Sequence, residues 1–306
     1  MSRSRRLPMR LAGTAVGLGA SRLVPPLDDD VHPVARFGST MTEVEQRLWR
    51  DDRQAGVLYA TVGAGIAVST GRALRSTAAA VAICAAGAQL RATATEIAGL
   101  LERGELDGAR LALPALVGRD PSSLDGSGIA AAAIESVAEN TVDAVFGPAV
   151  WAVVAGAPGA AVHRALNTMD AMVGRRNARY ENFGWAAARA DDVANLLPAR
   201  LFAVAVAAAT PDRAGAVFDA VRSDAAAHPS PNAGVAESAM AGVLGVELGG
   251  PLRYGDVVED RPTLGSGPRP GADDLRRAIE IARRTEDVLI GSLAVAAVLT
   301  FLRGRR

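Results

Sequence analysis

Carboxylates, carboxamides and arginines concentrate between positions 135 and 200, so most side chains that can do chemistry lie in this stretch. It contains a polar block at 135–143, a charge-free segment at 144–162 and a second polar block at 167–200. Two polar blocks separated by an apolar segment are typical of a site that is assembled within a membrane or in a buried core.

The first block is predicted to be a helix that carries three carboxylates on one face. Asp125 can cap this helix, and alanines, the strongest helix formers, precede the carboxylates. Glu135, Glu139 and Asp143 follow at i, i+4 and i+8, within roughly 80° around the helix axis. Two interpretations are open: a solvated acidic face, or a ladder that holds Mg²⁺ or directs an amine or a proton. Asn140 beside the ladder and the apolar segment after it favour the ladder.

The second block combines arginines with carboxylates. If residues 183–197 form a helix, Arg189 and Asp192 are neighbours at i, i+3, and Asp191 and Asn195 at i, i+4. The planar guanidinium group suits phosphate and carboxylate ligands, whereas ion pairs on the surface of a helical hairpin would contribute little. Both interpretations stay open for the arginines of this block, which are Arg175, Arg176, Arg179, Arg189 and Arg200.

A third polar feature is the loop HPSPNAG at 228–234, in which two prolines and a glycine predict a rigid, specially shaped turn. Loops of this kind often carry ligands. Its histidine, His228, is interpreted as a hydrogen-bonding residue rather than a proton-transfer group, and His163 is interpreted as structural.

Long apolar runs must position these groups, and they predict an all-α, alanine-rich, polytopic membrane protein. Residues 54–71 and 76–90 are predicted to form a helical hairpin, and 288–302 a further apolar helix. Residues 251–271 are expected to be irregular, and no run alternates at period two for long enough to predict a sheet. Mean hydropathy is only +0.16, but alanine and glycine suit close helix packing in lipid. Arginines at both ends of the chain predict cytoplasmic termini.

The segment 144–162 is long enough to cross a bilayer, yet it contains Gly-Pro at 147–148 and Gly-Ala-Pro-Gly at 156–159. A single crossing would place the two polar blocks on opposite faces of the membrane. One active site needs both blocks on one face, so we expect a broken, re-entrant or protein-buried segment here.

Composition excludes several classes of protein. The net charge is zero and the basic residues are dispersed, which argues against a nucleic-acid partner. Cys84 is the single cysteine, so an intrachain disulfide is excluded, and without a Cys/His cluster zinc is not expected. The sequence has no Walker A loop.

The polar motifs resemble the CobD/CbiB family of cobalamin biosynthesis, the membrane-associated adenosylcobinamide-phosphate synthases. The matching segments, in the family's order and spacing, cover roughly half of the chain: GRD at 118–120, ESVAENTVD at 135–143, NTMDAMVG at 167–174, NARY at 177–180, FGWAAARADDVANLLPAR at 183–200, HPSPNAG at 228–234, Glu237 and MAGVLGVELGG at 240–250. The chain departs from the family at Arg176, where a lysine is expected, and at Ala171 and Ala187, where serines are usual, which puts individual roles at these positions in doubt.

The resemblance implies one helical membrane domain over 1–306, with the motifs at about 118–250, in the cell membrane and with its active site facing the cytoplasm. The implied reaction joins aminopropanol or its phosphate to a propionate carboxylate of adenosylcobyric acid, driven by ATP with Mg²⁺. Corrinoid-pathway enzymes are candidate partners. The predicted catalytic residues are Glu135, Glu139, Asp143, Asp170 and Asp192, with Glu139, Asp143 and Asp192 as Mg²⁺ candidates. The predicted substrate-binding residues are Asn140, Asn167, Arg176, Asn177, Arg179, Tyr180, Arg189, Asp191, Asn195, Arg200, His228, Ser230, Asn232 and Glu237.

Two other classes of function are compatible with an alanine-rich membrane protein. A transporter could use the carboxylates as a proton or cation relay, but the polar residues then should lie within the apolar runs, where they are absent. A membrane scaffold for corrinoid enzymes would not need the carboxylate ladder. A ligase therefore accounts best for the motifs.

Overall fold

The computed structural model describes residues 3–23, 31–118, 120–175, 177–250, 252–254, 257–259 and 261–305, with the backbone alone for 3–5, 252–254 and 257–259. Two residues named in the sequence analysis, Arg119 and Arg176, lie outside the described residues.

The described structure is almost entirely helical, which confirms the all-α prediction. Its α-helices are α1 (Arg3–Ser21), α2 (Pro33–Leu48), α3 (Arg53–Leu74), α4 (Thr77–Cys84), α5 (Gly87–Glu102), α6 (Leu106–Ala112), α7 (Gly126–Thr141), α8 (Gly147–Ala155), α9 (Ala157–Val173), α10 (Trp185–Ala209), α11 (Ala214–Asp224), α12 (Ala233–Leu244) and α13 (Ala272–Arg303). A π-helical turn, Val142–Phe146, joins α7 to α8, and 3₁₀ turns lie at Leu113–Ala115, Pro211–Arg213 and Ala225–Ala227.

Side-chain caps explain where several helices begin. Asp125 caps α7 as predicted, because its Oδ1 accepts a hydrogen bond from the Gly128 N–H at 2.7 Å. Asp52 caps α3 through the N–H groups of Gln54 and Ala55. Each such cap satisfies backbone donors that the first helical turn leaves without partners, and contributes about 1 kcal/mol.

The predicted hairpin of two apolar helices is wrong in its second arm. Helix α4 ends at Cys84, Ala85 is extended (φ −82°, ψ 131°), and α5 begins at Gly87. The Ala86 N–H donates to the Ala144 carbonyl at 3.1 Å, so the interruption is held by a tertiary hydrogen bond. The run 76–90 is apolar enough for one helix, but its composition does not show this long-range contact.

Short strands occupy part of the segment that was expected to be irregular. Strand β1 (Leu248–Gly249) pairs antiparallel with β4 (Thr263–Leu264), and β2 (Leu252–Tyr254) pairs antiparallel with β3 (Val257–Glu259). Two- and three-residue strands are too short to show a period-two pattern, which is why the sequence did not indicate them.

The chain divides into two compact units. Unit 1 contains residues 1–86, 143–198 and 290–306, and unit 2 contains residues 87–142 and 199–289. The boundaries therefore fall between α4 and α5, at the π-helical turn, within α10 and within α13.

Unit 1 is packed through small residues. Helix α3 lies along α9, α1 along α4, and α8 along α9. A Cβ atom on Gly56 would overlap the Phe183 carbonyl, and one on Gly71 would overlap the backbone of Pro158, so glycine permits both close approaches. Around them lies an apolar core of Met41, Tyr59, Met169, Val173, Phe183 and Ala187.

The segment 144–162 is broken, as predicted. Helix α8 ends at Ala155 and α9 begins at Ala157, and Gly156 between them has φ 72° and ψ −151°. Backbone in this region is open essentially to glycine alone. The two helices pack against each other, so the chain folds back here. The Gly-Pro pair at 147–148 does not break the helix; it occupies the first turn of α8, where proline is tolerated.

Unit 2 is built around α7 and α12, which pack against each other. Every residue of α12 is buried, and so are Ile129 to Ala138 of α7. Helix α11 approaches α12 closely, because Gly242 faces the backbone of Ala216.

Three described helices are long and apolar enough to cross a membrane: α3, α10 and α13. The apolar windows of α3 and α13 are mostly exposed, with only 22% and 17% of their residues buried. Faces of this kind are expected to meet lipid, which agrees with the predicted helical membrane protein.

Candidate functional site

Asp143 is the centre of a hydrogen-bonded network in unit 1. The Asn167 Nδ2 group donates to Asp143 Oδ2 at 2.9 Å, and Asn195 Nδ2 donates to Asp143 Oδ1 at 3.0 Å. Asn195 Nδ2 also donates to Asp191 Oδ2 at 3.1 Å. The π-helical turn, α9 and α10 each supply part of this network, so one residue of the first polar block is bonded to two residues of the second and connected through Asn195 to a third. Turns of the π type are frequent at functional sites.

His163 joins the network from α9. Its Nε2 lies 2.8 Å from Asn195 Oδ1, and the residue is fully buried. The space for the ring is provided by Gly147, where a Cβ atom would overlap the imidazole. Burial lowers the pKa of His163 to about 4, so the ring is neutral near pH 7. Because the Asn195 amide nitrogen faces two carboxylates, its oxygen faces the ring, and Nε2 carries the donated hydrogen.

The start of α10 has the contacts that its spacing predicted. Arg189 Nη1 donates to Asp192 Oδ2 at 3.2 Å, which confirms the i, i+3 pair, and the Asn195–Asp191 bond confirms the i, i+4 pair. Asp170 of α9 is partly buried, and burial together with the charge of Asp192 raises its pKa to about 6. Asp170 therefore titrates far closer to neutral pH than an exposed aspartate.

The loop between α9 and α10 is attached to the end of α2. Arg179 Nη2 lies 3.1 Å from Glu45 Oε1, and the Tyr180 hydroxyl donates to the same oxygen at 2.8 Å. The Arg179 guanidinium also stacks 4.7 Å from the centre of the Trp49 ring. Asn177 Oδ1 accepts from the N–H groups of Arg179 and Tyr180, both at 3.0 Å, so its role here is to shape the turn.

In unit 2, helix α7 carries two residues of the predicted carboxylate ladder, Glu135 and Glu139. Helix α7 ends at Thr141 and the π-helical turn follows, so α-helical spacing relates only Glu135 and Glu139. Glu135 is 5% exposed and accepts from the Gly249 N–H at 2.8 Å, whereas Glu139 is exposed. Asn140 Nδ2 donates back to the Ser136 carbonyl at 2.9 Å. Asp143 lies in the π-helical turn rather than in α7, and the placement of the three carboxylates on one face stays a prediction.

The HPSPNAG loop of unit 2 is held in a defined shape, as predicted. The Ser230 N–H donates to His228 Nδ1 at 3.0 Å, and His228 Nε2 lies 3.8 Å from Glu237 Oε2, with both side chains 6% exposed. Ser230 Oγ accepts from the N–H groups of Asn232 and Ala233, which begin α12. Arg200 Nη1 donates to Asn232 Oδ1 at 3.1 Å. Five predicted site residues thus form one group: Arg200, His228, Ser230, Asn232 and Glu237.

The predicted site residues therefore fall into groups within each unit. Unit 1 contains the Asp143 network, the Asp170–Asp192 pair and the Arg179 loop, and unit 2 contains Glu135, Glu139, Asn140 and the HPSPNAG group. A cavity of about 360 Å³ in unit 2, lined by Arg213, Asp219 and Asp224 among others, contains none of them.

Sequence reasoning missed His163 and Glu45. His163, Asn167 and Asp170 are spaced i, i+4 and i+7, so a helical face was available as a signal for the histidine. Glu45 is separated from Arg179 by 134 positions, and no local pattern connects them.

Comparison with known proteins identifies the family to which the chain is similar. The family model described as CobD/Cbib protein matches residues 14–282. A protein of Mycobacterium tuberculosis (strain CDC 1551 / Oshkosh) named Cobalamin biosynthesis protein CobD is 45% identical over 287 residues, which cover 90% of each chain. Proteins with the same name from Rhodobacter capsulatus and Rhizobium meliloti are 48% and 37% identical, over 66% and 87% of this chain and 65% and 89% of theirs. No solved structure matches.

Proposed function

The chain belongs to the CobD/CbiB family of cobalamin biosynthesis, and we propose that it is an acid–amine ligase of the adenosylcobinamide-phosphate synthase type. It joins aminopropanol, free or as its phosphate ester, to a propionate carboxylate of adenosylcobyric acid. The observation that supports assigning this reaction to particular residues is the Asp143 network, in which carboxylates and amides from both polar blocks are hydrogen-bonded to one another.

Forming an amide from a carboxylate and an amine requires that the carboxylate be activated and that the amine lose protons. With ATP as co-substrate, a propionate oxygen takes the terminal phosphoryl group and ADP leaves. The amine nitrogen then bonds to the carbonyl carbon, the C–O bond to phosphate breaks, and phosphate leaves. The ammonium group gives up one proton before the attack and the nitrogen gives up another after it, so the site needs a base.

Asp143 and Asp191 are suited to the amine. Each accepts a hydrogen bond from the same Asn195 nitrogen, so the two carboxylate oxygens lie within roughly twice a hydrogen-bond length of each other. The donor in these two bonds is a neutral amide, which orients the two carboxylates toward each other. We assign to this pair the binding of the substrate ammonium group and the acceptance of its proton.

Arginines are suited to the anionic groups of the substrates. Arg189, Arg200 and Arg179 each donate to a side-chain oxygen of Asp192, Asn232 or Glu45, and each is exposed. A guanidinium group has five donors in a planar fork, which suits phosphate or a corrinoid carboxylate.

The residues predicted for Mg²⁺ do not fit a protein-held metal. Asp143 accepts hydrogen bonds from two neutral amides, and Asp192 is paired with Arg189. Across the described residues, no three His, Cys, Asp or Glu side chains are placed to hold a metal ion. No step of the proposed reaction therefore runs through a metal held by the chain.

The direct test uses the purified full-length protein in detergent with adenosylcobyric acid, ATP, Mg²⁺ and either aminopropanol or its phosphate. Formation of the amide, detected by mass spectrometry together with ADP release, is the expected result. Loss of product when the amine or ATP is omitted is the control. If the folded protein binds corrinoid but makes no amide with either amine, the ligase proposal fails. Uptake of the substrate into proteoliposomes then tests the transporter alternative.

The site is proposed to open to the cytoplasm from a cell-membrane protein, because ATP and the corrinoid acid are cytoplasmic. The three candidate membrane-spanning helices support the membrane location.

A further inference from the structure

The N-terminal ends of two candidate membrane-spanning helices, α3 and α10, are joined in unit 1. Asn182 Nδ2 donates to Asp51 Oδ1 at 2.9 Å, which connects the residues just before each helix. One turn further on, Gly56 lies against the Phe183 carbonyl so closely that no Cβ atom would fit. Both helices therefore start at the same level of unit 1.

Two tryptophan–arginine pairs mark this level. The Arg53 guanidinium lies 5.3 Å from the centre of the Trp185 ring, and that of Arg179 lies 4.7 Å from the centre of the Trp49 ring. Trp49 and Trp185 are 36% and 40% exposed. Partly exposed tryptophans beside arginines are typical of the headgroup layer of a membrane, where the ring is amphipathic and the guanidinium meets phosphate.

Beyond this level α3 presents apolar side chains to the outside, and α10 does so after the exposed Arg189. Val57 and Leu58 of α3 are 47% and 50% exposed, and on α10 Val193 and Leu197 are 65% and 55% exposed. Helix α3 has no charged residue between Arg53 and Arg72. At 1.5 Å per residue this interval is about 28 Å long, close to the ~30 Å hydrocarbon thickness of a bilayer.

We propose that the end of unit 1 bearing Trp49, Arg53, Arg179 and Trp185 lies among phospholipid headgroups, and that α3 and α10 enter the bilayer from this same side. Basic residues concentrate there, which by the positive-inside tendency makes it the cytoplasmic side. The exposed arginines of this end are Arg47, Arg50, Arg53, Arg175 and Arg179.

This placement sets the depth of the Asp143 network. Asp191 and Asn195 follow Trp185 by six and ten residues, which corresponds to about 9 and 15 Å along the helix. The network then lies near the cytoplasmic end of unit 1, at a depth that a substrate reaches from the headgroup layer. The placement itself does not depend on which reaction the protein performs.

Cysteine labelling tests the shared side. In a Cys84→Ala background, single cysteines are introduced at the exposed positions Arg50→Cys and Glu181→Cys, and at the exposed position Ala73→Cys in the last turn of α3. With a membrane-impermeant maleimide, positions 50 and 181 should react in inside-out vesicles and not in intact spheroplasts, and position 73 should show the reverse. Opposite reactivity of positions 50 and 181, or identical reactivity of positions 50 and 73, would overturn the proposal.

Quenching by brominated phospholipids tests the headgroup placement. The chain has three tryptophans, so Trp151→Phe leaves only Trp49 and Trp185. In proteoliposomes of phosphatidylcholine with phosphatidylglycerol, bromines near the headgroups should quench this variant more strongly than bromines deep in the acyl chains. Stronger quenching by the deep bromines, or no quenching by either, would contradict the placement. The double variant Trp49→Phe/Trp185→Phe, which retains Trp151, is the control for protein insertion.

Discussion

His163 and Asn195 are joined by a 2.8 Å hydrogen bond that determines which way the Asn195 amide faces. With its oxygen turned to the neutral imidazole, the amide directs both hydrogens to Asp143 and Asp191. A residue that touches neither carboxylate thereby orients the group that bridges them.

His163 is therefore expected to act on turnover through Asn195. His163→Gln can still present an N–H at the position of Nε2 and should retain most activity. His163→Leu leaves the buried Asn195 oxygen without a donor, which destabilises the protein by about 1–3 kcal/mol. We expect its kcat to fall about 10²-fold with a smaller change in KM, because misplacement of a reacting group by about 1 Å has an effect of this size.

Steady-state kinetics of both variants, on protein shown by size-exclusion chromatography to be folded, check this expectation. Equal losses in His163→Gln and His163→Leu would assign the histidine a packing role only.

Asn195→Asp is expected to be more damaging than any other single change in the network. It replaces a donor of two hydrogen bonds by a third carboxylate next to Asp143 and Asp191, and each lost hydrogen bond to a charged group is worth about 1.5–3 kcal/mol. Thermal unfolding in detergent and amide formation should both decline. The matched control is Asn182→Asp, which changes a comparable bond to Asp51 in a surface loop and should alter the unfolding temperature little. If the Asn195→Asp variant kept the stability and activity of the wild type, the two hydrogen bonds donated by Asn195 would be dispensable.

Glu139→Gln is expected to abolish activity while folding persists, because the change removes the charge of an exposed carboxylate and hardly alters its shape. Glu135→Gln is the comparison: its amide oxygen can still accept from the Gly249 N–H, so the attachment of β1 to α7 should survive. Turnover of the two variants and of the wild type is measured under the same conditions. Unchanged turnover of Glu139→Gln would make this residue part of a solvated face.

Arg179→Lys is expected to weaken binding of the phosphate-bearing or corrinoid substrate, since lysine keeps the charge and loses the planar fork and its stacking on Trp49. Arg189→Lys should behave similarly. Arg222→Lys, in an exposed ion pair with Asp219, is the control. Substrate titrations that give one dissociation constant for the wild type, Arg179→Lys and Arg189→Lys alike would remove the phosphate role of these arginines.

Asp170 should make stability depend on pH. Its pKa is about 6 in the folded protein against an ordinary 3.8, so the folded state favours the protonated form. The associated stability is present below about pH 4 and is lost as the pH rises to 6 and above, by about 3 kcal/mol at most. Asp170→Asn should therefore unfold at a higher temperature than the wild type at pH 7.5, and this advantage should shrink toward pH 4.5. A difference that does not vary with pH would contradict the assignment.

Local features of the fold were predictable from the sequence because their causes are local. The Asp125 cap, the Arg189–Asp192 pair and the break near Gly156 each follow from residues within a few positions of one another. The polar motifs likewise identified the HPSPNAG group before its contacts were known.

What escaped prediction depends on contacts between distant segments or on helix geometry without a residue signature. Nothing in the residue types of 142–146 marks a π-helical turn, so the sequence did not show that Asp143 lies outside α7. His163 looks like an ordinary buried histidine until Asn195, 32 positions away, is placed beside it.

The backbone of Gly156 decides the distance between the two halves of the Asp143 network. Asp143 and Asn167 are 24 positions apart, and an uninterrupted α-helix would hold them about 36 Å from each other. Their side chains are instead within one hydrogen bond, 2.9 Å, because the chain reverses at one residue with φ 72°. A Cβ atom at position 156 would disfavour this backbone conformation. The hydrogen bond between Asn167 and Asp143 therefore depends on glycine, whose side chain is a single hydrogen atom.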